Sequence, residues 1–316
     1  MARRRKGRPV NGILVLDKPA GMTSNKALQK VKHLFNAQKA GHTGSLDPLA
    51  TGVLPLCLGE ATKVSHYLLD ANKRYRAKCI LGAVTTTGDS DGDIIAHRPV
   101  PELSENELLA LLSSFEGAQM QTPPMYSALK HNGRPLYEYA RKGIEIERKS
   151  RPITLFDIIL IDYSITSDRS EPDYIEIEVQ CSKGTYIRTL CEDLGEKIGC
   201  GAHISILRRI ESGPFLLSQA ISLDALFDQF DSDEPLDEQS FNTMDQLLLA
   251  TDTAIQQIPA ININEQDFKR IQHGMSIDVQ PDMVSDDYRL YYNNSLIALA
   301  ISDNDKQLKP KRLLFL

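Results

Sequence analysis

The residues that could do chemistry are concentrated in one stretch, residues 41–63, which reads GHTGSLDPLATGVLPLCLGEATK. It sets a carboxylate, Asp47, among four glycines and two prolines. Glycine permits backbone conformations closed to other residues and proline fixes φ, so the carboxylate is held on a loop of defined shape. The alternative is a simple turn whose Asp caps the next element. The stretch is much longer than a turn needs, which favours a catalytic loop.

Two further stretches interleave aromatic residues with cations. Residues 73–76, KRYR, surround Tyr75 with three cations, and residues 121–143 combine three tyrosines with paired prolines, an Asn-Gly turn signal and several cations. A base can stack on a ring while cations meet phosphate, and each stack contributes about 1 to 3 kcal/mol. This composition suits contacts to looped RNA. The alternatives are a half-buried strand residue for Tyr75 and a hairpin and helix packed on a sheet for residues 121–143.

Arg188 is the partner that the sequence offers for Asp47. It follows a glycine turn in CSKGTYIRTL and lies in the first turn of a helix predicted over residues 186–198. A cation there faces the unfavourable end of the helix dipole unless an anion compensates it. A guanidinium holds a carboxylate ionised and oriented through a bidentate contact, so we expect Arg188 to bind Asp47 in this way.

These motifs together resemble the TruB family, the tRNA pseudouridine-55 synthases. The resemblance rests on G-H-T-G-x-L-D-P-x-A-T-G around Asp47, L-D-K-P-x-G at residues 16–21, P-x-x-Y-S-A-x-K at residues 123–130 and K-G-T-Y-I-R at residues 183–188. A match of this length is far more specific than a lone glycine pattern. It covers residues 11–215 strongly and the remainder weakly. It implies an isomerase that converts uridine to pseudouridine at position 55 in the T loop of tRNA, without a cofactor.

The resemblance also assigns roles to individual residues. Asp47 is implied to be the catalytic residue, Tyr75 stacks on the target base, and Arg188 lies beside them. The implied substrate-binding residues are His42, Lys18, Pro19, Asp89, Tyr186, Leu207 and Lys130. Among these, Lys18 and Pro19 buttress the catalytic loop, Leu207 lines the pocket, and His42 assists access of the substrate by filling the space that a flipped nucleotide leaves.

The chemistry leaves alternatives open. The reaction breaks the C1′–N1 bond, rotates the uracil and rejoins it through C5 with loss of the C5 proton. Asp47 attacks C6 of the ring, attacks C1′, or removes the C2′ proton. Tyr75 is the candidate proton acceptor, although a phenol with an ordinary pKa near 10 is a poor base unless the site lowers that pKa.

The resemblance implies the pseudouridine synthase fold, an α+β fold with a mixed, mostly antiparallel sheet flanked by helices. Strands are predicted over residues 13–16, 53–58, 74–81, 152–162 and 174–181, and the last alternates apolar and polar residues. Helices are predicted from an N-cap at Ser24 to residue 35, over residues 61–69, and from a capping box at Ser104 to residue 115.

The predicted domain order is a basic arm at residues 1–10, a catalytic domain at residues 11–250 and a small domain at residues 251–316. The catalytic domain contains the RNA-gripping insertion at residues 121–143. The last domain weakly resembles a β-rich, PUA-like RNA-binding domain and contains the short β-like runs RLYY, ALAIS and RLLFL.

Charge is distributed unevenly over the 316 residues, whose formal net charge is -6. Residues 1–209 carry 29 Lys and Arg against 24 Asp and Glu, whereas residues 210–268 carry none against 12. A basic body can meet phosphates, and the acidic run at residues 224–240 reads as a solvent-exposed connection between short helices.

Several classes of protein are disfavoured. No apolar run approaches the roughly 20 residues of a membrane helix and no signal peptide is evident, so we expect a cytoplasmic protein that does not bind membranes. The five cysteines lack zinc spacing, and TTTGDSDGDI lacks the ligand spacing of a calcium loop, so we expect no metal. Nothing indicates a coiled coil, so a monomer that needs no protein partner is expected. The open alternatives are an RNA-binding tRNA-folding chaperone and a synthase for another RNA.

Overall fold

The largest element of the fold is a ten-stranded sheet. The computed structural model describes residues 7–166, 172–230, 237–278, 285–302 and 307–314. The strands are β1 (Gly12–Lys18), β2 (Ala40–His42), β3 (Thr51–Leu58), β4 (Lys73–Leu81), β5 (Ala83–Thr85), β6 (Ile94–His97), β7 (Gly117–Gln121), β8 (Lys130–His131), β9 (Arg134–Pro135), β10 (Arg151–Ser164), β11 (Tyr174–Cys181), β12 (Ala202–Ser212), β13 (Phe215–Leu216), β14 (Ile221–Ser222), β15 (Ala260–Asn262), β16 (Asp287–Tyr292), β17 (Ser295–Ser302) and β18 (Leu308–Leu313).

Helices separate many of these strands along the chain. They are α1 (Ser24–Leu34), α2 (Ser65–Leu69), α3 (Glu105–Ser113), α4 (Leu136–Ala140), α5 (Ile187–Ile198), α6 (Leu223–Phe230), α7 (Glu238–Asp245) and α8 (Glu265–Gln272), with 3-10 turns at Gly59–Lys63, Leu217–Gln219 and Thr251–Ile255. None of the helices in the described ranges is both long and apolar enough to cross a membrane.

The large sheet has ten strands in the order β14-β1-β3-β12-β4-β11-β10-β7, with β2 on β3 and β13 on β12. Two pairs, β1 with β14 and β3 with β12, are parallel, and the others are antiparallel. The predicted mixed, mostly antiparallel sheet is therefore confirmed. In β11 the apolar positions Ile175, Ile177 and Val179 are fully buried, as the alternation predicted. The other face is half-buried because Glu178 pairs with Arg74 across the strands.

A second sheet of four strands, β15-β16-β17-β18, forms the β-rich C-terminal domain. Its own core includes Ile271, Tyr288 and Leu290, and a separate cluster packs Leu296 and Leu299 against residues of β1 and β3. The predicted runs RLYY and ALAIS lie in β16 and β17. The run RLLFL was placed too late, because β18 ends at Leu313, and residues 315–316 fall outside the described ranges.

Helix starts required two corrections. Thr23, and not Ser24, is the N-cap of α1, since its side chain accepts from the Lys26 amide. The helix predicted over residues 61–69 is a 3-10 turn followed by the five-residue α2. The capping box of α3, between Ser104 and Glu107, is confirmed. Two parts of these predictions lie outside the described residues: residues 1–6 of the basic arm and residues 231–236 of the acidic run. In the sequence, α6 precedes residues 231–236 and α7 follows them.

Candidate active site

A cleft of about 240 Å³ lies where the start of β4 and the second half of β12 meet the start of α5. One side is formed by the Asp47 loop, defined as residues 43–50, and another by Ser127 and Ala128 of the insertion. Tyr75, Tyr186 and Leu207 line it together with Asp47 and Arg188. Five of the predicted site residues, distant in sequence, therefore share one cleft. Within the described part of the chain, no group of three or more His, Cys, Asp or Glu side chains is arranged to hold a metal ion.

The Asp47 loop is bound to the first residue of α1. Ser24 is buried, and its hydroxyl accepts from the Leu46 amide at 2.8 Å and donates to the Leu46 carbonyl at 3.2 Å. Both backbone groups next to Asp47 are thereby held by one side chain. The sequence interpretation of Ser24 as an N-cap missed this role, because the neighbouring Thr23 performs the capping.

Lys18 supports the same loop from below. It is fully buried, and Nζ donates to the carbonyls of Pro19 and Met22 at 2.8 Å and to that of Pro48 at 3.4 Å. Burial lowers the pKa of Lys18 to about 8, with the charge of Asp47 raising it and that of Arg209 lowering it. Pro19 contributes a carbonyl to this arrangement.

Arg188 reaches Asp47 from the first turn of α5. Its Nε donates to Asp47 Oδ2 at 2.9 Å; the arginine side chain is 4% exposed and the aspartate 37%. The predicted ion pair is present, but it is not bidentate. The other two nitrogens, Nη1 and Nη2, donate to the carbonyls of Thr87 and Tyr126 at 2.7 and 2.5 Å. The guanidinium is thus fixed by three segments of chain, which leaves Oδ1 of Asp47 without a bond to Arg188.

Asp89 lies behind Arg188. Its Oδ2 is 3.7 Å from Arg188 Nε, and its Oδ1 accepts from the Thr87 hydroxyl at 2.5 Å and from the Asp91 amide at 3.2 Å. Asp89 is 7% exposed and does not line the cleft. It therefore stabilises the arginine and the loop that supplies the Thr87 carbonyl.

Tyr75 and Leu207 come from neighbouring strands, β4 and β12, and both line the cleft. Tyr75 is half-buried. Burial raises the pKa of the Tyr75 phenol, and the charge of the Arg209 guanidinium only partly opposes this. A raised pKa keeps the phenol protonated at neutral pH.

The remaining predicted residues lie in different places. Tyr186, the N-cap of α5, exchanges hydrogen bonds with the Gln121 side chain through its backbone amide and carbonyl, at 2.8 and 3.0 Å. His42 is the last residue of β2; it is half-buried and does not line the cleft. Burial, and then the charge of Arg209, lower the pKa of His42. Lys130 is exposed in the β8–β9 hairpin, away from the cleft lining.

Two cations of the cleft wall are buried. The sequence interpretation placed Lys73, within KRYR, among the cations that contact RNA, and it did not single out Arg209. Arg209 is 1% exposed and Lys73 is 7% exposed, and both line the cleft. Lys73 Nζ donates to the carbonyls of Leu68, Leu69 and Ala71. Burial, and then the charge of Arg209, lower the pKa of Lys73 to about 8. The sequence shows two adjacent arginines at residues 208–209. Only the structure reveals that Arg209 is buried in the cleft wall and that Arg208 is not.

The large sheet, with a buried arginine holding an aspartate at the rim of its cleft, defines a protein of the pseudouridine synthase fold. A crystal structure of a Cbf5–Nop10–Gar1 complex matches with a TM-score of 0.71 at 25% identity, covering 96% of this chain and 85% of that chain. A structure of an H/ACA RNP bound to a substrate RNA containing 2′-deoxyuridine matches with a TM-score of 0.70 at 23% identity, over 100% and 92% of the two chains, and shows the fold alone.

Sequence comparison narrows the class. Residues 32–187 match the model of the TruB family pseudouridylate synthase N-terminal domain, and residues 188–256 and 259–314 match two TruB C-terminal models. The tRNA pseudouridine synthase B of Vibrio campbellii is 48% identical over 320 residues, covering 99% of this chain and 98% of the relative. That of Aeromonas salmonicida is 48% identical over 317 residues, covering 99% and 97%. The chain belongs to the TruB family of pseudouridylate synthases.

Proposed function

We propose that this protein isomerises uridine to pseudouridine at position 55 in the T loop of tRNA, without a cofactor. The observation that carries the proposal is the Asp47–Arg188 contact at the rim of a cleft lined by Tyr75 and Leu207. The names of the relatives from Vibrio campbellii and Aeromonas salmonicida support tRNA as the substrate.

The residues act as follows in this proposal. The target nucleotide is flipped out of its stack, at a cost of roughly a few kcal/mol, and its base enters the cleft between Tyr75 and Leu207. Arg188 pairs with Asp47 and fixes one of its oxygens, so that the other is directed to the nucleotide. Asp89 and Lys18 keep this pair in place. The neutral His42 fills the space that the nucleotide leaves.

The rest of the chain binds the RNA. Lys130 and the insertion at residues 121–143 contact the T arm, and the C-terminal domain, residues 251–316, together with the basic arm, extends the basic surface. Exposed Lys309, Lys311 and Arg312 on β18 support this assignment for the C-terminal domain. The protein acts as a monomer in the cytoplasm and requires no protein partner.

The test is tritium release from C5 of uridine. A T-arm stem-loop labelled only at position 55 and a second labelled only at position 54 are incubated with the wild type, Asp47→Ala and Asp47→Asn, without added metal or nucleotide. We expect release only from position 55 and only with the wild type. Equal release from both positions would contradict the assigned position, and release by Asp47→Asn would contradict the assigned carboxylate. Binding of the RNA without release by any protein would favour the RNA chaperone.

A further inference from the structure

Arg209 is a buried cation whose contacts are with neutral groups. Its Nε donates to the Val53 carbonyl at 2.6 Å, and its Nη2 donates to the Gly44 carbonyl at 3.3 Å. Among the ion pairs of the described residues, none includes Arg209. Removing a charge from water costs several kcal/mol, and carbonyl dipoles offset only part of that cost. The fold therefore maintains a positive charge in the cleft wall at the expense of stability.

The charge of Arg209 acts on the whole inner wall of the cleft, defined here as Lys73, Tyr75 and Arg209. It lowers the pKa of Lys73. It also lowers the pKa of Lys18, which lies next to this wall. Burial is the larger cause of the lowered pKa in both lysines. These cations therefore repel one another across a region from which water is largely excluded. A negative charge placed in the cleft would relieve this repulsion, because Coulomb interactions strengthen as the effective dielectric constant falls.

Pseudouridine formation generates such a charge in the substrate. When the C1′–N1 bond breaks, its electron pair stays on the uracil and is shared by N1, O2 and O4. The pair is used again when C5 bonds to C1′; C5 then loses its proton and N1 gains one, so no co-reactant is consumed. Attack of Asp47 at C6 likewise places negative charge on the ring. Each of the three routes open to Asp47 thus passes through an anionic uracil.

We propose that Arg209 is a positioning residue for the reaction, whose buried charge stabilises negative charge on the uracil while its hydrogen bonds hold the Val53 carbonyl and the Gly44 carbonyl of the Asp47 loop. This inference rests on the proposed function. It assigns Arg188 to the carboxylate and Arg209 to the base, so that the two buried guanidinium groups act on different reacting groups. Fixed charges of this kind cost no reorganisation during the reaction.

Leaving-group substitution tests the charge directly. Single-turnover loss of the starting nucleoside is measured on T-arm stem-loops that carry uridine or 5-fluorouridine at the target position, by chromatography of the digested nucleosides. 5-Fluorouridine has no C5 proton to lose, so its C5-linked product keeps the fluorine and adds water across the N1–C6 bond, and only disappearance of the starting nucleoside is compared between the two substrates. Fluorine stabilises the uracil anion itself, so the fluorinated base depends less on an external cation. The proteins are the wild type, Arg209→Met, Arg209→Lys and Arg208→Met. Arg208 is the matched control, because it is adjacent in β12 but pairs with Asp17 at 2.6 Å and does not line the cleft.

We expect Arg209→Met to slow conversion of uridine by about 100-fold and conversion of 5-fluorouridine by much less, with RNA affinity retained. Arg209→Lys should lie between Arg209→Met and the wild type, and Arg208→Met should convert both substrates at near the wild-type rate. An equal slowing of both substrates by Arg209→Met would overturn the inference. If Arg209→Met does not fold, the same comparison is made with Arg209→Lys. Failure of the wild type to convert uridine would contradict the proposed function instead.

Discussion

Arg188 Nε lies 2.9 Å from Asp47 Oδ2, although 141 positions separate the two residues in the chain. The remaining donors of Arg188 are bound to the carbonyls of Thr87 and Tyr126. One guanidinium thus joins the Asp47 loop, the segment before Asp89 and the insertion. Because every contact uses a different nitrogen, the position of Asp47 depends on the planar, branched shape of the group as well as on its charge.

Arg188→Lys should therefore fail to replace arginine. A single ammonium cannot satisfy Asp47 and both carbonyls, and misplacement of a reacting group by about 1 Å costs on the order of 100-fold in rate. We expect a loss of about that size in single-turnover tritium release. Arg98→Lys is the control, since Arg98 forms an exposed pair with Glu196 at 2.8 Å. A rate for Arg188→Lys within a few-fold of the control would contradict this dependence on shape.

Ser24→Ala should lower kcat without weakening RNA binding. The Ser24 hydroxyl holds the amide and the carbonyl of Leu46, the residue before Asp47. Loss of these bonds should reduce kcat by about tenfold, because a misplaced Asp47 affects the reacting geometry and not the RNA surface. The matched control is Thr23→Ala, which removes the cap of α1 and should cost about 1 kcal/mol of stability with kcat unchanged. Parallel losses of kcat in the two variants would refute a positioning role.

Stability should increase with pH in the window set by Lys18. Its pKa is about 8 in the folded protein and 10.5 in the unfolded chain, so between these values the unfolded chain binds more protons. The free energy of unfolding then rises with pH through this window. Urea unfolding at both ends of the window should show a smaller rise for Lys18→Met than for the wild type. Lys73→Met should behave in the same way, and an unchanged slope in both variants would oppose the burial argument.

Salt dependence should separate Lys130 from His42. Lys130 is exposed and in the proposed function contacts phosphate, so Lys130→Ala should reduce the slope of log affinity against log salt by about 1. Burial and Arg209 lower the pKa of His42, which keeps its imidazole neutral. His42→Gln should therefore leave the slope unchanged while slowing turnover. The slope is measured by filter binding of the stem-loop, and a reduced slope for His42→Gln would show that the imidazole is charged.

Two glycines with positive φ should respond differently to alanine. A Cβ on Gly52, at φ +102, would lie 2.1 Å from the Arg209 carbonyl oxygen, so Gly52→Ala should prevent folding or separate β3 from β12. Gly133, at φ +81 in the β8–β9 turn, has nothing within 4 Å of its Cβ position. Gly133→Ala should cost only about 1 to 2 kcal/mol of backbone strain. Thermal unfolding of both variants measures the difference, and equal losses would mean that the close approach at Gly52 relaxes.

The sequence by itself determined the family, the sheet and the residues of the Asp47 loop. Contiguous motifs carry that information, because a loop such as residues 43–50 and a strand such as β11 are specified by residues near one another in the chain. The Asn-Gly turn between β8 and β9 and the capping box of α3 were readable for the same reason.

Only the tertiary structure decided which cations reach the cleft and what each one touches. Arg208 and Arg209 are neighbours of one type, yet they point to opposite faces of β12, so one pairs with Asp17 and the other is buried in the cleft wall. Thr23, and not Ser24, caps α1, because the side chain of Ser24 binds the backbone of Leu46. Burial also set the direction of the pKa shifts of Lys18, Lys73 and Tyr75. These properties depend on desolvation and on contacts between distant segments, which have no local signature in the sequence.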